Sequence, residues 1–417
     1  MQTKLADFIK NSPQGQEADA ILRSCVHCGF CLATCPTYQI LGDELDSPRG
    51  RIYLMKQMLE GQPVTQKTQL HLDRCLTCRA CETTCPSGVR YGELVDISRD
   101  LLEKQVKRDV RSDAVRYMLR KILPNSLIFK VFIKSGQAVR PFLPESLKKT
   151  IPVKPKPAKK WPDANHVRKM LVLDGCVQPV LAPNINAATA RVLDNLGISL
   201  IKAEKAGCCG AVAFHLNAQQ EGLDYMRSNI DAWWSWVERE KVEAIVVTAS
   251  GCGVTVKEYG HLLRHDPIYA EKAAKISALA KDISEILHTE LENIVRLMNK
   301  QYGNTNKTKL AFHSPCTLQH GMKIRGVVEK ILVAAGFDLT IVPNAHLCCG
   351  SAGTYSILQP ELSQQLLKNK VVALESGKPD QIATANIGCL MHLQGGTATT
   401  SVKHWIELVD ERLACCE

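Results

Sequence analysis

Apolar positions in the first 123 residues recur at the spacing of α-helices. They lie three or four residues apart, which places them on one face of a helix and leaves the other face polar. The pattern predicts a mainly α-helical domain over residues 1–123. Three stripes are expected to pack in its core: Ile52, Met55, Met58 and Leu59; Leu94, Ile97 and Leu101; and Val115, Met118 and Ile122.

From residue 166 the pattern changes, and short apolar runs alternate with longer amphipathic segments. The runs KMLVLDGC, ISLIKA and EAIVVTASGC indicate strands separated by helices. The runs KLAFHSPC, FDLTIVP and QIATANIGC repeat that order before a final predicted helix, VKHWIELVDERL. Such alternation is typical of a parallel α/β sheet. We therefore predict two pseudo-symmetric α/β repeats, one over residues 166–300 with connecting helices and one over 301–417.

The charge of the chain is unevenly distributed. The formal net charge is +10, and the stretch 101–160 holds 16 Lys and Arg against four Asp and Glu. We interpret residues 124–165, rich in Pro and Lys, as a basic linker between the helical domain and the repeats. Its candidate roles are docking on anionic lipid, contact with an acidic partner, nucleic-acid binding, or solvation alone. Apolar residues interleaved in SLIFKVFIKSG favour a lipid surface, so no nucleic-acid partner is expected.

Eighteen cysteines are the one unusual feature of the composition. A chain of 417 residues can form two or three domains with buried cores, so disulfides are not needed to hold an undersized fold. The sequence shows no signal peptide, and no stretch approaches the roughly 20 apolar residues that span a bilayer. We expect a protein on the cytoplasmic side, soluble or peripheral to the membrane, whose cysteines are metal ligands.

Eight of the cysteines form two copies of one motif. Residues 25–36 read CVHCGFCLATCP and residues 75–86 read CLTCRACETTCP, both with the spacing C-x2-C-x2-C-x3-C-P. In this motif three cysteines hold one [4Fe–4S] cluster, and the fourth, before proline, holds the cluster of the other copy. The first domain is then a two-cluster ferredoxin. Its predicted ligands are Cys25, Cys28, Cys31 and Cys85 for one cluster, and Cys75, Cys78, Cys81 and Cys35 for the other.

Structural zinc is the alternative for this first group. Zinc takes four ligands, commonly two C-x2-C pairs or cysteine with histidine, and it requires neither the third cysteine nor the repeated Cys-Pro. The spacing therefore favours iron–sulfur clusters. His27 occupies a spacer position inside the first copy and is not expected to be a ligand.

The second group of cysteines repeats with the α/β units. Cys-Cys-Gly (CCG) occurs at 208–210 and 348–350 with identical spacing from an earlier cysteine, and another cysteine follows the third strand-like run of each copy. In a parallel sheet such positions meet at the carboxyl ends of the strands, where ligands bind. Burial of cysteine as a small apolar residue is the alternative, which the identical spacing disfavours. The candidate metal ligands are Cys176, Cys208, Cys209 and Cys252 in the first repeat, and Cys316, Cys348, Cys349 and Cys389 in the second.

The tandem cluster motifs followed by two CCG repeats resemble the iron–sulfur subunits of bacterial glycolate oxidase (glycolate dehydrogenase). The resemblance covers essentially the whole chain, and its most particular element is CVHCGFCLATCPTYQILGDELDSPRGRIYLMKQMLEG. It implies that FAD-containing partner subunits oxidise glycolate to glyoxylate. This chain would relay the electrons to a membrane quinone at the cytoplasmic face of the inner membrane. Because the sequence has no glycine motif for a dinucleotide, we expect neither a flavin nor a catalytic residue on this chain.

The repeats depart from the related heterodisulfide reductases, which close the CCG motif with C-x2-C and so supply five thiolates. Thr255 and His392 stand in the place of that last cysteine. Three states are open for each repeat: a [4Fe–4S] cluster, a noncubane cluster with another donor, or no cluster. The candidate extra donors are His392, His313 and His215.

Two other functions remain open from the sequence. The CCG unit is common to a superfamily, so a partner that oxidises lactate or glycerol 3-phosphate is an alternative to one that oxidises glycolate. A zinc protein that binds nucleic acid through the basic linker is an alternative of a different class. Cys415 and Cys416 have no partners at motif spacing and are expected to be free thiols.

Overall fold

The computed structural model describes residues 1–144, 148, 151–299 and 308–414. Cys415 and Cys416 lie outside the described residues. Within these ranges a helical N-terminal region is followed by two parallel four-stranded sheets flanked by helices. The fold class expected from the sequence, a mainly α-helical ferredoxin domain followed by two α/β repeats, is confirmed.

The helical region packs around two of the three predicted stripes. Helix Pro48–Leu59 begins after Ser47, whose hydroxyl accepts a hydrogen bond from Gly50 N at 2.9 Å, and it buries its predicted stripe. The stripe on helix Tyr91–Gln105 packs into the same core. The helices of this region are Pro13–Ser24, Pro36–Leu41, Pro48–Leu59, Gln66–Asp73, Ala80–Thr83, Tyr91–Gln105, Val110–Ile122 and Ser126–Val139, with 3₁₀ turns at Glu44–Asp46 and Arg140–Phe142.

The third predicted stripe lies on helix Val110–Ile122, and the prediction that it packs in the core is wrong. Met118 is 52% exposed, whereas Arg116 is buried. Arg116 Nη2 lies 3.0 Å from Asp73 Oδ2, and Arg108 pairs with the same carboxylate. A buried charge needs a partner, so this ion pair and not the apolar stripe decides which face of the helix turns inward.

Each repeat contains one sheet, and the two sheets have the same strand order. The strands are β1 Arg168–Val172, β2 Ile198–Lys202, β3 Ile245–Val247, β4 Ala280–Asp282, β5 Lys309–His313, β6 Asp338–Leu339, β7 Gln381–Thr384 and β8 Ser401–His404. The first sheet has the order β2-β1-β3-β4 and the second β6-β5-β7-β8, with every pairing parallel. In each repeat the second strand lies on one side of the first strand and the third strand lies on the other side. The connections therefore diverge after the first strand, which creates a crevice at the carboxyl ends of the strands.

Strands β4 and β8 are additional to those predicted. The start of the predicted final helix is wrong, because β8 pairs with β7 and the helix begins only at Trp405. Val402 and His404 are buried while Ser401 is exposed, which is the alternation of a strand. The helices of the repeats are Gln178–Leu181, Asn184–Asp194, Ala211–His215, Gln219–Arg239, Ser250–Leu262, Ala270–Leu279, Ile283–Thr289, Leu291–Asn299, Val327–Ala334, Tyr355–Leu358, Pro360–Glu375, Ile387–Gly396 and Trp405–Ala414, with a π-helical turn at Thr317–Gly321.

The two repeats pack against each other at the carboxyl ends of their strands. The backbone N–H of Ser250 donates to Ala385 O at 3.2 Å, and the Ser250 and Thr317 hydroxyl oxygens are 2.7 Å apart. The buried ring of His404 donates to Thr248 O at 2.9 Å. These contacts join the loops that carry the cysteines of both repeats.

Among the described residues of the basic segment 124–165, helix Ser126–Val139 is followed by the 3₁₀ turn Arg140–Phe142, and residues 151–165 are irregular. The helix buries Phe129 but leaves Leu127 and Phe132 74% and 60% exposed. Across the part of the chain that the structure describes, no helix combines the length and the apolar character needed to span a bilayer.

Candidate metal centres

Two cavities in the helical domain are lined by the cysteines of the tandem motifs. The first is lined by Cys25, Cys28, Cys31, Cys85 and also Cys81. Cys85 therefore lies with the three cysteines of the other motif copy. Burial and the neighbouring Cys25 thiol raise the pKa of Cys31 to about 11. Thiolates gathered this closely repel one another, so a bound cation is needed to keep them ionised together.

The second cavity is lined by Cys35, Cys75, Cys78 and Cys81. Cys35 here lies apart from its own motif copy. Cys81 borders both cavities, so the two are neighbours. The structure thus brings the eight predicted ligands together in two groups of soft donors, which suits iron–sulfur clusters.

The backbone of each motif winds through the left-handed region at matching places. His27 and Gly29 have φ of 56° and 83° in the first copy, and Thr77 and Arg79 have φ of 52° and 59° in the second. In the second copy Thr77 N lies 3.4 Å from Cys75 Sγ and donates to it. Such turns point backbone N–H groups into a concavity that favours an anionic group such as a thiolate-ligated cluster.

Two buried arginines distinguish the second cavity. Arg51 is 1% exposed, and its Nη1 lies 4.0 Å from Cys35 Sγ while its Nη2 lies 3.1 Å from Asp46 Oδ1. Arg99 donates to Cys75 O at 2.8 Å. Burial raises the pKa of Cys75, but the guanidinium groups of Arg51 and Arg99 outweigh it and leave that pKa below its ordinary value.

Sequence reasoning missed both arginines. Arg51 directly precedes the predicted stripe of its helix, and Arg99 lies between Ile97 and Leu101 of another stripe. The signal present in the sequence was an arginine on or next to a face predicted to be buried, because a buried charge requires partners.

In the first repeat the four candidate cysteines converge at the crevice between β1 and β3. Cys208 is hydrogen-bonded to Cys176 and Cys209, and Cys209 to Cys252. Hydrogen bonds from the thiols of Cys208 and Cys252 lower the pKa of Cys209 well below its ordinary value. Gly210 N donates to Cys208 Sγ at 3.4 Å. The repeat therefore presents four neighbouring sulfur donors.

The second repeat has the same arrangement. Cys316 Sγ and Cys348 Sγ are 3.9 Å apart, and Cys349 is hydrogen-bonded to Cys389. Gly350 N donates to Cys348 Sγ at 3.4 Å, as Gly210 does in the first repeat. The structure thus brings together all four candidate cysteines in each repeat.

Gly350 is required by its backbone conformation. Its φ is +91°, and a Cβ there would lie 2.6 Å from Ser363 O. We expect Gly350→Ala to destabilise the second repeat by at least about 1–3 kcal/mol, because backbone strain adds to the clash. The measurement is thermal unfolding together with the iron content of the purified protein. Gly353→Ala is the matched control, because Gly353 has φ of +62° and nothing within 4 Å of its added Cβ. Equal losses in both variants would contradict the steric explanation.

The three histidines suggested as extra donors have different surroundings. His215 Nδ1 lies 3.3 Å from Asp96 Oδ1, and His392 Nε2 lies 3.3 Å from Ser363 Oγ. His313 is 2% exposed, and burial lowers its pKa to about 3. Its nearest donor atom and the sulfurs of Cys349 and Cys389 all lie within 4.8 Å of one another.

The second cavity adjoins the second repeat. Leu76, Tyr355 and Cys348 form one buried cluster, against which Cys78 and Cys316 pack. Burial and the neighbouring Cys316 raise the pKa of Cys78. Two further contacts hold this junction: Tyr355 Oη donates to Arg74 O at 3.1 Å, and Thr83 Oγ1 lies 3.0 Å from His320 Nδ1.

Two models of known protein families match parts of this chain. A model of the 4Fe-4S dicluster domain matches residues 21–89. A model of the cysteine-rich domain termed CCG matches twice, at residues 170–257 and 310–394. These matches favour iron–sulfur centres over the zinc alternative.

Similar proteins cover nearly the whole chain. The glycolate oxidase iron-sulfur subunit of Escherichia coli is 56% identical over 414 residues, which cover 99% of each chain. The probable glycolate oxidase iron-sulfur subunit of Bacillus subtilis is 31% identical over 93% of this chain and 92% of its own. Lactate utilization protein A of Bacillus licheniformis is 26% identical over 57% of this chain and 97% of its own. The chain therefore belongs to the family of glycolate oxidase iron-sulfur subunits.

Proposed function

We propose that this chain is the electron-transfer subunit of a membrane-associated glycolate dehydrogenase. FAD-containing partner subunits oxidise glycolate to glyoxylate, and this chain relays the electrons toward quinone. The observation that carries the proposal is the contiguous arrangement of sulfur ligands, from the first cavity through the second to the second repeat. Cys81 borders both cavities, and Cys78 packs beside Cys316.

Two [4Fe–4S] clusters occupy the two cavities in this proposal. The ligands are Cys25, Cys28, Cys31 and Cys85 in the first, and Cys35, Cys75, Cys78 and Cys81 in the second. The CCG cysteines hold further iron–sulfur centres. A bound cluster supplies reversible one-electron chemistry; the chain supplies thiolates, excludes water and sets the local charge.

The first cavity is the proposed entry point for electrons. Cys28 is exposed, and the apolar side chains of Val26 and Phe30 beside it are 66% and 64% exposed. Exposed apolar residues around an accessible ligand suit contact with a flavoprotein. The second cavity lies deeper and is flanked by Arg51 and Arg99, whose positive charges stabilise an added electron there. The charge distribution therefore favours electron flow from the first cavity to the second.

The exposed face of helix Ser126–Val139 is the proposed membrane contact. Leu127 and Phe132 are exposed on it, and Lys130 and Lys134 are exposed on the same helix. Apolar side chains interleaved with lysines fit the boundary of an anionic bilayer. The attachment is peripheral and lies at the cytoplasmic face of the inner membrane.

We expect the double variant Leu127→Glu/Phe132→Glu to bind anionic phosphatidylglycerol vesicles at least about tenfold more weakly than the unmodified protein, since burial of each side chain contributes about 1.5–3 kcal/mol. The measurement is vesicle co-sedimentation at fixed ionic strength. Ile268→Glu is the control, because Ile268 is 69% exposed but lies outside this helix. Unchanged binding of the double variant would show that another surface meets the membrane.

The function is tested by reconstitution with the candidate FAD-containing subunits under anaerobic conditions. We expect glycolate to bleach the visible absorbance of the clusters, and a quinone analogue to restore it. Lactate and glycerol 3-phosphate are the comparison substrates. Bleaching by either of these alone would overturn glycolate as the substrate. Stoichiometric zinc without visible absorbance would overturn electron transfer as the function.

A further inference from the structure

His313 is a buried histidine at the end of β5 whose ring lies beside the Ser314 backbone without hydrogen-bonding geometry. Its side chain is 2% exposed, and neither ring nitrogen has a hydrogen-bond partner among the residues that the structure describes. A buried polar group without a partner is costly, so its retention requires a reason.

The unpartnered ring lies beside the thiols of the second repeat. A ring nitrogen of His313, Cys349 Sγ and Cys389 Sγ all lie within 4.8 Å of one another, and all three residues are buried. Imidazole nitrogen and thiolate sulfur are compatible ligands for one metal centre. Cys316 and Cys348 complete a set of five donors in this repeat.

The first repeat has no such histidine. Leu173 occupies the matching place, three residues before the first cysteine of its repeat, and it is 3% exposed. His392, which stands where related proteins have a fifth cysteine, instead lies 3.3 Å from Ser363 Oγ. The extra donor is therefore specific to the second repeat, and His313 supplies it from the strand rather than from the expected sequence position.

We propose that His313 is a nitrogen ligand of an iron–sulfur centre in the second CCG repeat, together with that repeat's cysteines. This assignment rests on the proposed function, which places an iron–sulfur centre there. A neutral imidazole in place of a thiolate leaves the centre less negative, and histidine ligation raises the reduction potential of iron–sulfur centres. A higher potential would favour electron transfer to the second repeat from the cluster of the adjoining second cavity, where Cys78 packs beside Cys316.

The experiment uses the anaerobically purified full chain with its histidines labelled with nitrogen-15. Electron–nuclear double resonance is recorded at a redox poise where the second-repeat centre is paramagnetic. The signal that is lost in a Cys316→Ala sample belongs to that centre. We expect a histidine nitrogen coupling on that signal, retained in His392→Ala and lost in His313→Ala. Because alanine removes one donor from the centre, a second variant, His313→Cys, replaces the ring nitrogen with a thiolate. It should keep the centre, lose the coupling and shift the midpoint potential to a more negative value.

The outcomes separate this inference from the proposed function. An iron–sulfur signal from the second repeat without a histidine nitrogen coupling overturns the role of His313 alone. A coupling that disappears in His392→Ala and persists in His313→Ala also overturns it. A second repeat that contains no iron, or contains zinc, overturns the iron–sulfur assignment of that repeat in the proposed function as well.

Discussion

Replacing Cys85 by alanine should remove the cluster of the first cavity, although Cys85 belongs to the second motif copy. Its sulfur lines the cavity of Cys25, Cys28 and Cys31, and a [4Fe–4S] cluster that loses one of four thiolates is not held. The expected loss is about four irons per chain, with cluster reduction by the partner subunits falling to background. Iron and sulfide analysis and electron paramagnetic resonance of the reduced protein measure these losses.

The assignment is tested by comparing variants in pairs. Cys85→Ala should give the same residual spectrum as Cys28→Ala, and Cys35→Ala the same as Cys78→Ala. Ser87→Ala is the matched control, because Ser87 lines the first cavity without a thiol. If Cys85→Ala instead resembled Cys78→Ala, each motif copy would hold its own cluster and the crossover would be wrong.

Arg51→Met should destabilise the helical domain by about 3–5 kcal/mol, the usual result of breaking a buried ion pair from one side. Arg51 and Asp46 are 1% and 0% exposed, and the variant leaves the carboxylate with Arg74 and His71 among the described residues. Arg51 also donates to Thr37 Oγ1 at 3.1 Å and to His71 O at 2.7 Å, so the loss reaches several buried groups. The measurement is anaerobic thermal unfolding, followed by far-ultraviolet circular dichroism and visible absorbance.

The same variant should make the reduction potential of the second-cavity cluster more negative. The Arg51 guanidinium lies 4.0 Å from Cys35 Sγ, and its positive charge favours the reduced state. Arg49→Met is the matched control on the same helix. Its pair with Glu44 is half-exposed, so its loss should cost less than about 1 kcal/mol and leave the potential of the second-cavity cluster unchanged. Because Arg49 lines the first cavity, only the potential of the first-cavity cluster should become more negative in this control. A potential that is unchanged in Arg51→Met would show that this arginine serves only stability.

The order of helices and strands follows from local spacing. Sixteen cysteines could also be placed in groups from the sequence, because the C-x2-C-x2-C-x3-C-P spacing and the CCG repeat are local patterns. Two expectations failed where tertiary contacts outweigh local pattern. Asp73 draws Arg116 inward and leaves Met118 exposed, and pairing with β7 makes Val402 part of a strand.

The sequence by itself determined the fold class and which cysteines are candidate ligands, since these depend on residue types at short, repeated spacings, and it indicated the family by resemblance. Only the tertiary structure decided what surrounds each group of thiols. It places Arg51 and Arg99 at the second cavity, Cys78 beside Cys316, and the unpartnered ring of His313 beside Cys349 and Cys389. Those distances join residues far apart in the chain, and the charge and donor set of a buried site depend on such contacts.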